Sequence, residues 1–191
     1  MEKKNFNLSK VKLLPKGGLT AEYQLTENVG GELSVTDYKA TYTRDVHPDM
    51  SGAFQDLRII VARVFGMTSF LSFMASEKLP KDKIENAKKF AEELMDRIDV
   101  RGISLSGSDD DPAVVITSVY EVENGQKTAT NTPRLRMGNT SFGFEEQLET
   151  IIEQIKEEVF AYLFEGKQAQ LSLFGEKKDD PDADIDPDID E

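Results

Sequence analysis

The chain has 191 residues, with 36 acids against 23 bases, one His, no Cys and no Trp. That length can bury a full hydrophobic core, so one globular domain with a tail is expected. The lack of Cys excludes a disulfide framework and Cys-ligated zinc. With no apolar run near about 18 residues and no apolar stretch in the opening MEKKNFNLSKVKLLPKG, a cytoplasmic protein is expected.

Charge is unevenly spread. Residues 1–50 hold seven bases and seven acids, residues 51–174 fourteen and twenty, and residues 175–191 two and nine. The net charge of −13 is thus concentrated at the end, which leaves the surface of the domain undecided as a partner for nucleic acid.

In chain order, the first 45 residues alternate polar and apolar positions between turn signals at Pro15-Lys16-Gly17-Gly18 and Gly30-Gly31, which predicts three strands. Phe54, Leu57, Val61 and Val64/Phe65 then fall at helical spacing, with Gly66 as the stop. The apolar stretch 67–76 reads as a second, buried helix, able equally to line a subunit interface. Leu79-Pro80 opens a third, whose inner seam is Ile84, Ala87, Ala91, Leu94 and Ile98. Strands return as VRGISLSG, AVVITSVYEVE and KTATNTPRLRM, the last two joined at Asn124-Gly125, a two-residue hairpin signal. A final helix over 142–165 points Leu148, Ile151, Ile152, Ile155, Val159 and Leu163 inward. The predicted order is β-β-β-α-α-α-β-β-β-α: an α+β fold with antiparallel pairing, about six strands and about four helices. Strands split by helices also suit an oligonucleotide-binding (OB-like) barrel, which is the alternative.

The stretch GEKKDDPDADIDPDIDE from Gly175 onward has no aromatic and two Ile, too little to offset the entropy of ordering, so it reads as a disordered acidic tail. The expected organisation is a domain over 1–166, a linear motif over 167–174 and the tail over 175–191.

The motif is Gln170-Leu171-Ser172-Leu173-Phe174. It resembles the pentapeptide by which bacterial polymerases, repair proteins and phage proteins dock on the replicative sliding clamp, matching the form Gln-Leu-Ser/Asp-Leu-Phe at all positions. The resemblance implies the clamp as partner and says nothing direct of the fold. Physically, Leu171, Leu173 and Phe174 are large apolar side chains without a core of their own, and Gln170 adds an amide that fixes register. Full burial of each apolar chain contributes about 1.5–3 kcal/mol, less the cost of ordering the segment. The competing expectation is that QLSLF extends the last helix or packs as a strand on its own domain. Against it, Gly166 interrupts the helix and Lys167-Gln168-Ala169 reads as a spacer. The acidic terminus is similar to the tails of bacterial and phage single-stranded-DNA-binding proteins, though it lacks their final Phe.

For DNA, residues 124–144 contain Lys127, Arg134 and Arg136 and no acid, and Tyr38 and Tyr42 share one side of a strand with Arg44 at period 2. Aromatic and basic residues interleaved on a sheet suit single-strand stacking. The competing expectation is that these tyrosines, with Tyr23 and Tyr120, are half-buried packing residues.

Enzyme signatures are missing. His47 has no second His or Cys to complete a zinc site and reads as a surface residue. Asp109, Asp110 and Asp111 precede Pro112 and read as a polar turn, and there is no Walker loop, dinucleotide fingerprint or nucleophile elbow. The expectation is a non-enzymatic accessory of DNA replication, recombination or repair, bacterial or phage, without cofactor or metal. The alternative is a phage inhibitor that fills the clamp's peptide pocket and does not bind DNA. A metal-dependent enzyme built on Asp109–Asp111 is the third reading.

Overall fold

A computed structural model describes residues 5–67, 89, 92–108, 111–122, 124–138 and 144–169. Its elements are β1 (Phe6–Leu13), β2 (Leu19–Val29), β3 (Glu32–Tyr42), α1 (Pro48–Asp56), α2 (Arg58–Val64), β4 (Ile98–Ser106), β5 (Ala113–Glu121), β6 (Lys127–Asn131), β7 (Leu135–Arg136) and α3 (Glu145–Phe160), which runs into a π turn at Ala161–Glu165. The strands form one antiparallel sheet in the order β3-β2-β1-β4-β5-β6, with β7 beside the start of β5. This is the expected α+β class. The sheet is open, not an OB-like barrel: β3 and β6 are its two ends. Closure would pair an eleven-residue edge with a five-residue one that ends just before Pro133, which has no N–H to donate.

Helices cover one face. Leu19, Ala21, Tyr23 and Leu25 of β2 are buried at strict period 2, beneath Met50, Ala53 and Phe54 of α1, Ile60 and Val61 of α2, and Leu148, Ile152, Ile155 and Val159 of α3. In β1 the buried positions change phase, from Leu8 to Val11 and Leu13. A bulge between Leu8 and Lys10 absorbs the extra residue, and a second between Val100 and Gly102 does the same in β4. The opposite face carries Lys10, Lys12, Glu22, Gln24, Ser104 and Thr117, interspersed with Val35, Val115 and Val119.

Three elements differ from expectation. The first helix begins earlier, at Pro48, where His47 Nδ1 accepts the Asp49 N–H at 3.2 Å as a cap. It breaks at Leu57, whose N–H turns back to Phe54 O at 3.2 Å. Ile98, expected on a helix seam, opens β4 opposite Tyr120. KTATNTPRLRM is two strands, β6 and β7, on opposite ends of β5. The Asn124-Gly125 turn is closed by Val122 N–H to Gln126 O at 2.9 Å, one residue longer than the two-residue form, with Gly125 at φ +78°. The apolar stretch 67–76 and the helix expected from Leu79-Pro80 fall almost wholly outside the described residues, although 92–96 are helical. Among the described residues, no helix is long and apolar enough to cross a membrane.

Gly102 tests the close approach of β4 to β1. A Cβ there would lie 2.7 Å from the Val11 carbonyl oxygen, whereas one on Gly52 in α1 meets nothing within 4 Å. Gly102→Ala should destabilise by about 1–3 kcal/mol in urea unfolding, and Gly52→Ala should stabilise by about 0.4–1 kcal/mol.

Candidate partner-docking site

The region before the pentapeptide is held by the domain in three successive residues. Gly166, at φ +73°, ends the π turn, and the Lys167 N–H returns to Ala161 O at 3.1 Å. The Lys167 ammonium then sits between Asp49, at 2.8 Å, and Glu158, at 2.7 Å. Gln168 forms an isolated antiparallel bridge with Val46, and its side-chain oxygen accepts from Arg44 Nη1 at 3.1 Å. Ala169 donates its N–H to the Asp45 carbonyl at 3.1 Å. Residues 167–169 are therefore an anchor on the segment between β3 and α1, not the free spacer expected from sequence. Gln170, Leu171, Ser172, Leu173 and Phe174, with the acidic tail, lie outside the described residues.

Tyr162 helps to set the anchor's position. Three residues after Val159 and seven after Ile155, it continues the inner seam of α3 into the π turn, where it is fully buried, donates its hydroxyl to the Arg44 carbonyl and meets Tyr42 edge-on at 6.0 Å. Leu163, expected inward, is only half-buried. Phe160 and Phe164 pack on Phe6, and Phe164 meets Tyr23 at 5.9 Å. Burial raises the Tyr162 phenol above its ordinary pKa, and burial together with the Tyr42 hydroxyl raises that of Tyr23.

The six residues expected to form a DNA surface are split between the two ends of the sheet. Tyr38 and Tyr42 stand on β3, on the helix-covered side. Tyr38 stacks on Tyr23 at 5.2 Å while staying 42% exposed, and Tyr42 packs on Tyr162. Arg44 is exposed and bonded to Gln168. Lys127 lies on β6, five strand spacings away, or roughly 24 Å, and pairs with Glu121 at 3.3 Å. Arg136 is opposite Ala113, at the other end of β5 from Lys127, and faces Asp111 at 3.8 Å. Arg134 lies against Gly107 nearby.

Of the acidic cluster, Asp111 is described and bonds its N–H to Ser108 O at 3.1 Å in a turn. Asp109 and Asp110 are outside the described residues. A different set converges: His47, Asp49 and Glu158 bring ligand atoms within 4.8 Å of one another. Lys167 already supplies the positive charge there. This grouping was not legible locally, since its members come from two turns some 110 positions apart. Comparison with protein-family models, with curated proteins and with solved structures finds no match.

The hydrogen bond from Lys167 holds the Asp49 carboxyl below its ordinary range, and the two carboxylates raise the Lys167 ammonium. A lowered acid contributes above its unfolded pKa and loses that contribution as pH falls through its folded value. A raised base keeps its contribution until pH climbs through its folded value. The anchor should therefore hold across neutral pH and loosen on acidification below about pH 4. The Ala169 amide chemical shift should move between pH 6 and about pH 2.5, and Lys167→Met should abolish that movement.

Proposed function

We infer that this chain is a non-enzymatic accessory of bacterial or phage DNA replication, recombination or repair that docks on the sliding clamp through Gln170-Leu171-Ser172-Leu173-Phe174. The observation that carries the reading is the pentapeptide itself, three large apolar side chains in five residues, beginning directly after an anchor on the domain surface. Because Lys167–Ala169 are held, the tether is short, and the clamp would be brought against the β3 end of the sheet.

The contacts of Tyr38 with Tyr23 and of Tyr42 with Tyr162 weaken the support for single-strand stacking on these two rings. The domain's open face, with Lys10 and Lys12 beside Glu22, carries mixed charge. The division of the six candidate residues between the two sheet ends favours a second reading. In this reading the protein fills the clamp's peptide pocket as an inhibitor and makes no DNA contact.

Leu173→Ala/Phe174→Ala should weaken binding to purified clamp roughly 30-fold or more, as removal of interface anchors does. Equal affinity of the two forms would end the docking reading. Fluorescence anisotropy with single-stranded oligonucleotides separates accessory from inhibitor: the accessory binds at low salt and weakens as salt rises, and the inhibitor binds at neither.

A further inference from the structure

Among the described residues β3 has a partner on one side only. The two-residue turn at Gly30 and Gly31, φ +66° and +95°, fixes which of its backbone groups are unpaired. In such a hairpin the flanking pair, here Val29 and Glu32, exchanges both hydrogen bonds, and the register with β2 runs unshifted to Leu19 opposite Tyr42. Even-numbered residues of β3 therefore bond β2. Leu33, Val35, Asp37, Lys39 and Thr41 turn their N–H and C=O groups outward, along an edge eleven residues long.

The chain's own end already approaches that edge. The Val46–Gln168 bridge is antiparallel, and the bond from Ala169 engages Asp45, three residues past the end of β3 and beyond a bend at Arg44. The Arg44 carbonyl, on the even-numbered side, is taken by Tyr162. Carried past the bend at Arg44 without a shift, pairing in the register of that bridge would place Leu171 opposite Thr43 and Leu173 opposite Thr41 as hydrogen-bonded pairs. Phe174 would fall opposite Ala40, in the gap between Tyr38 and Tyr42, within reach of both rings.

We propose that the free edge of β3 is a docking site for residues 170–174 of the same chain, which add to it as an antiparallel strand. The occupant is chosen over a second copy because Ala169, directly before the segment, is already bonded to Asp45, three residues past the end of β3, so the local concentration of the pentapeptide at the edge is high. Resting on the clamp reading, the same five residues serve either the edge or the clamp. The chain then binds the clamp with an affinity reduced by the fraction in which the edge is free.

Amide hydrogen exchange tests the edge without reference to the clamp. In the full chain the Thr43 and Thr41 amides should be protected, and ending the chain at Ala169 should release both while Ala40 and Tyr42, bonded to β2, stay as they were. Leu173→Pro in the full chain should release Thr41 in the same way. Equal exchange in all three proteins overturns the proposal. Protection that rises with protein concentration and survives the truncation also overturns it, in favour of a second copy. The clamp arm compares the full chain with a synthetic peptide of residues 167–175. The peptide should bind about fivefold tighter or more, and Ala169→Pro, which removes the donor to Asp45, should bring the full chain close to the peptide. A full chain that binds as tightly as the peptide overturns the competition. A peptide that fails to bind at all removes the clamp reading and leaves the edge pairing to stand or fall on the exchange data.

Discussion

A sheet covered on one face can bury only every second residue, and the arrangement of this protein follows from keeping that alternation in phase across strands. The buried face of β2 is set by Leu19, Ala21, Tyr23 and Leu25, with no interruption. Its neighbour β1 has its first two buried positions, Leu8 and Val11, three apart, so an unbulged strand would turn one of them to solvent. The bulge at Ser9 restores the phase, and the bulge at Arg101 does so for Ile103 against Ile116. Gly102 follows from the second bulge: the backbone of β4 comes so near Val11 there that no side chain fits on the β1 side. Two small irregularities thus keep a single apolar layer continuous under α1, α2 and α3.

The same constraint explains the β2–β3 hairpin. Helix cover ends near Leu25, leaving Val29 exposed beyond it, while Leu33 and Val35 are exposed on the open face and Tyr38 at the edge, the largest at 75%. Such a strand invites pairing with whatever passes. Asp37 and Lys39, bonded to Gln24 and Glu22 across the open face, put charge along it, which discourages unspecific edge association. Charged side chains still leave the outward N–H and C=O groups available to a segment delivered in register.

Much of this was written in local patterns. The strands of residues 1–45 follow from alternation and glycine turns, and α3 from apolar spacing with Gly166 as terminator, because each depends on neighbours within a few positions. The break at Leu57 has no such cause: nothing in Phe54 to Val64 departs from helical spacing. Pro48 did carry a signal, since proline at the first helical position moves the start back by two turns relative to a reading from apolar residues alone. Ile98 kept helical spacing with Leu94 by coincidence, and its β-branched side chain suits the strand it joins.

The anchor at 167–169 was illegible for a different reason. Lys167 looks like a solvated residue after a glycine, and its partners Asp49 and Glu158 become neighbours only when α1 and α3 pack together. Tyr162, three residues after Val159 and seven after Ile155, continues the inner seam of α3 into the π turn and carries a hydroxyl into the core. That hydroxyl, bonded to the backbone beside β3, fixes where the chain re-emerges from the core. A buried tyrosine thus determines on which edge of the sheet the pentapeptide begins, and this is the link between the packing of the domain and any partner that the peptide meets.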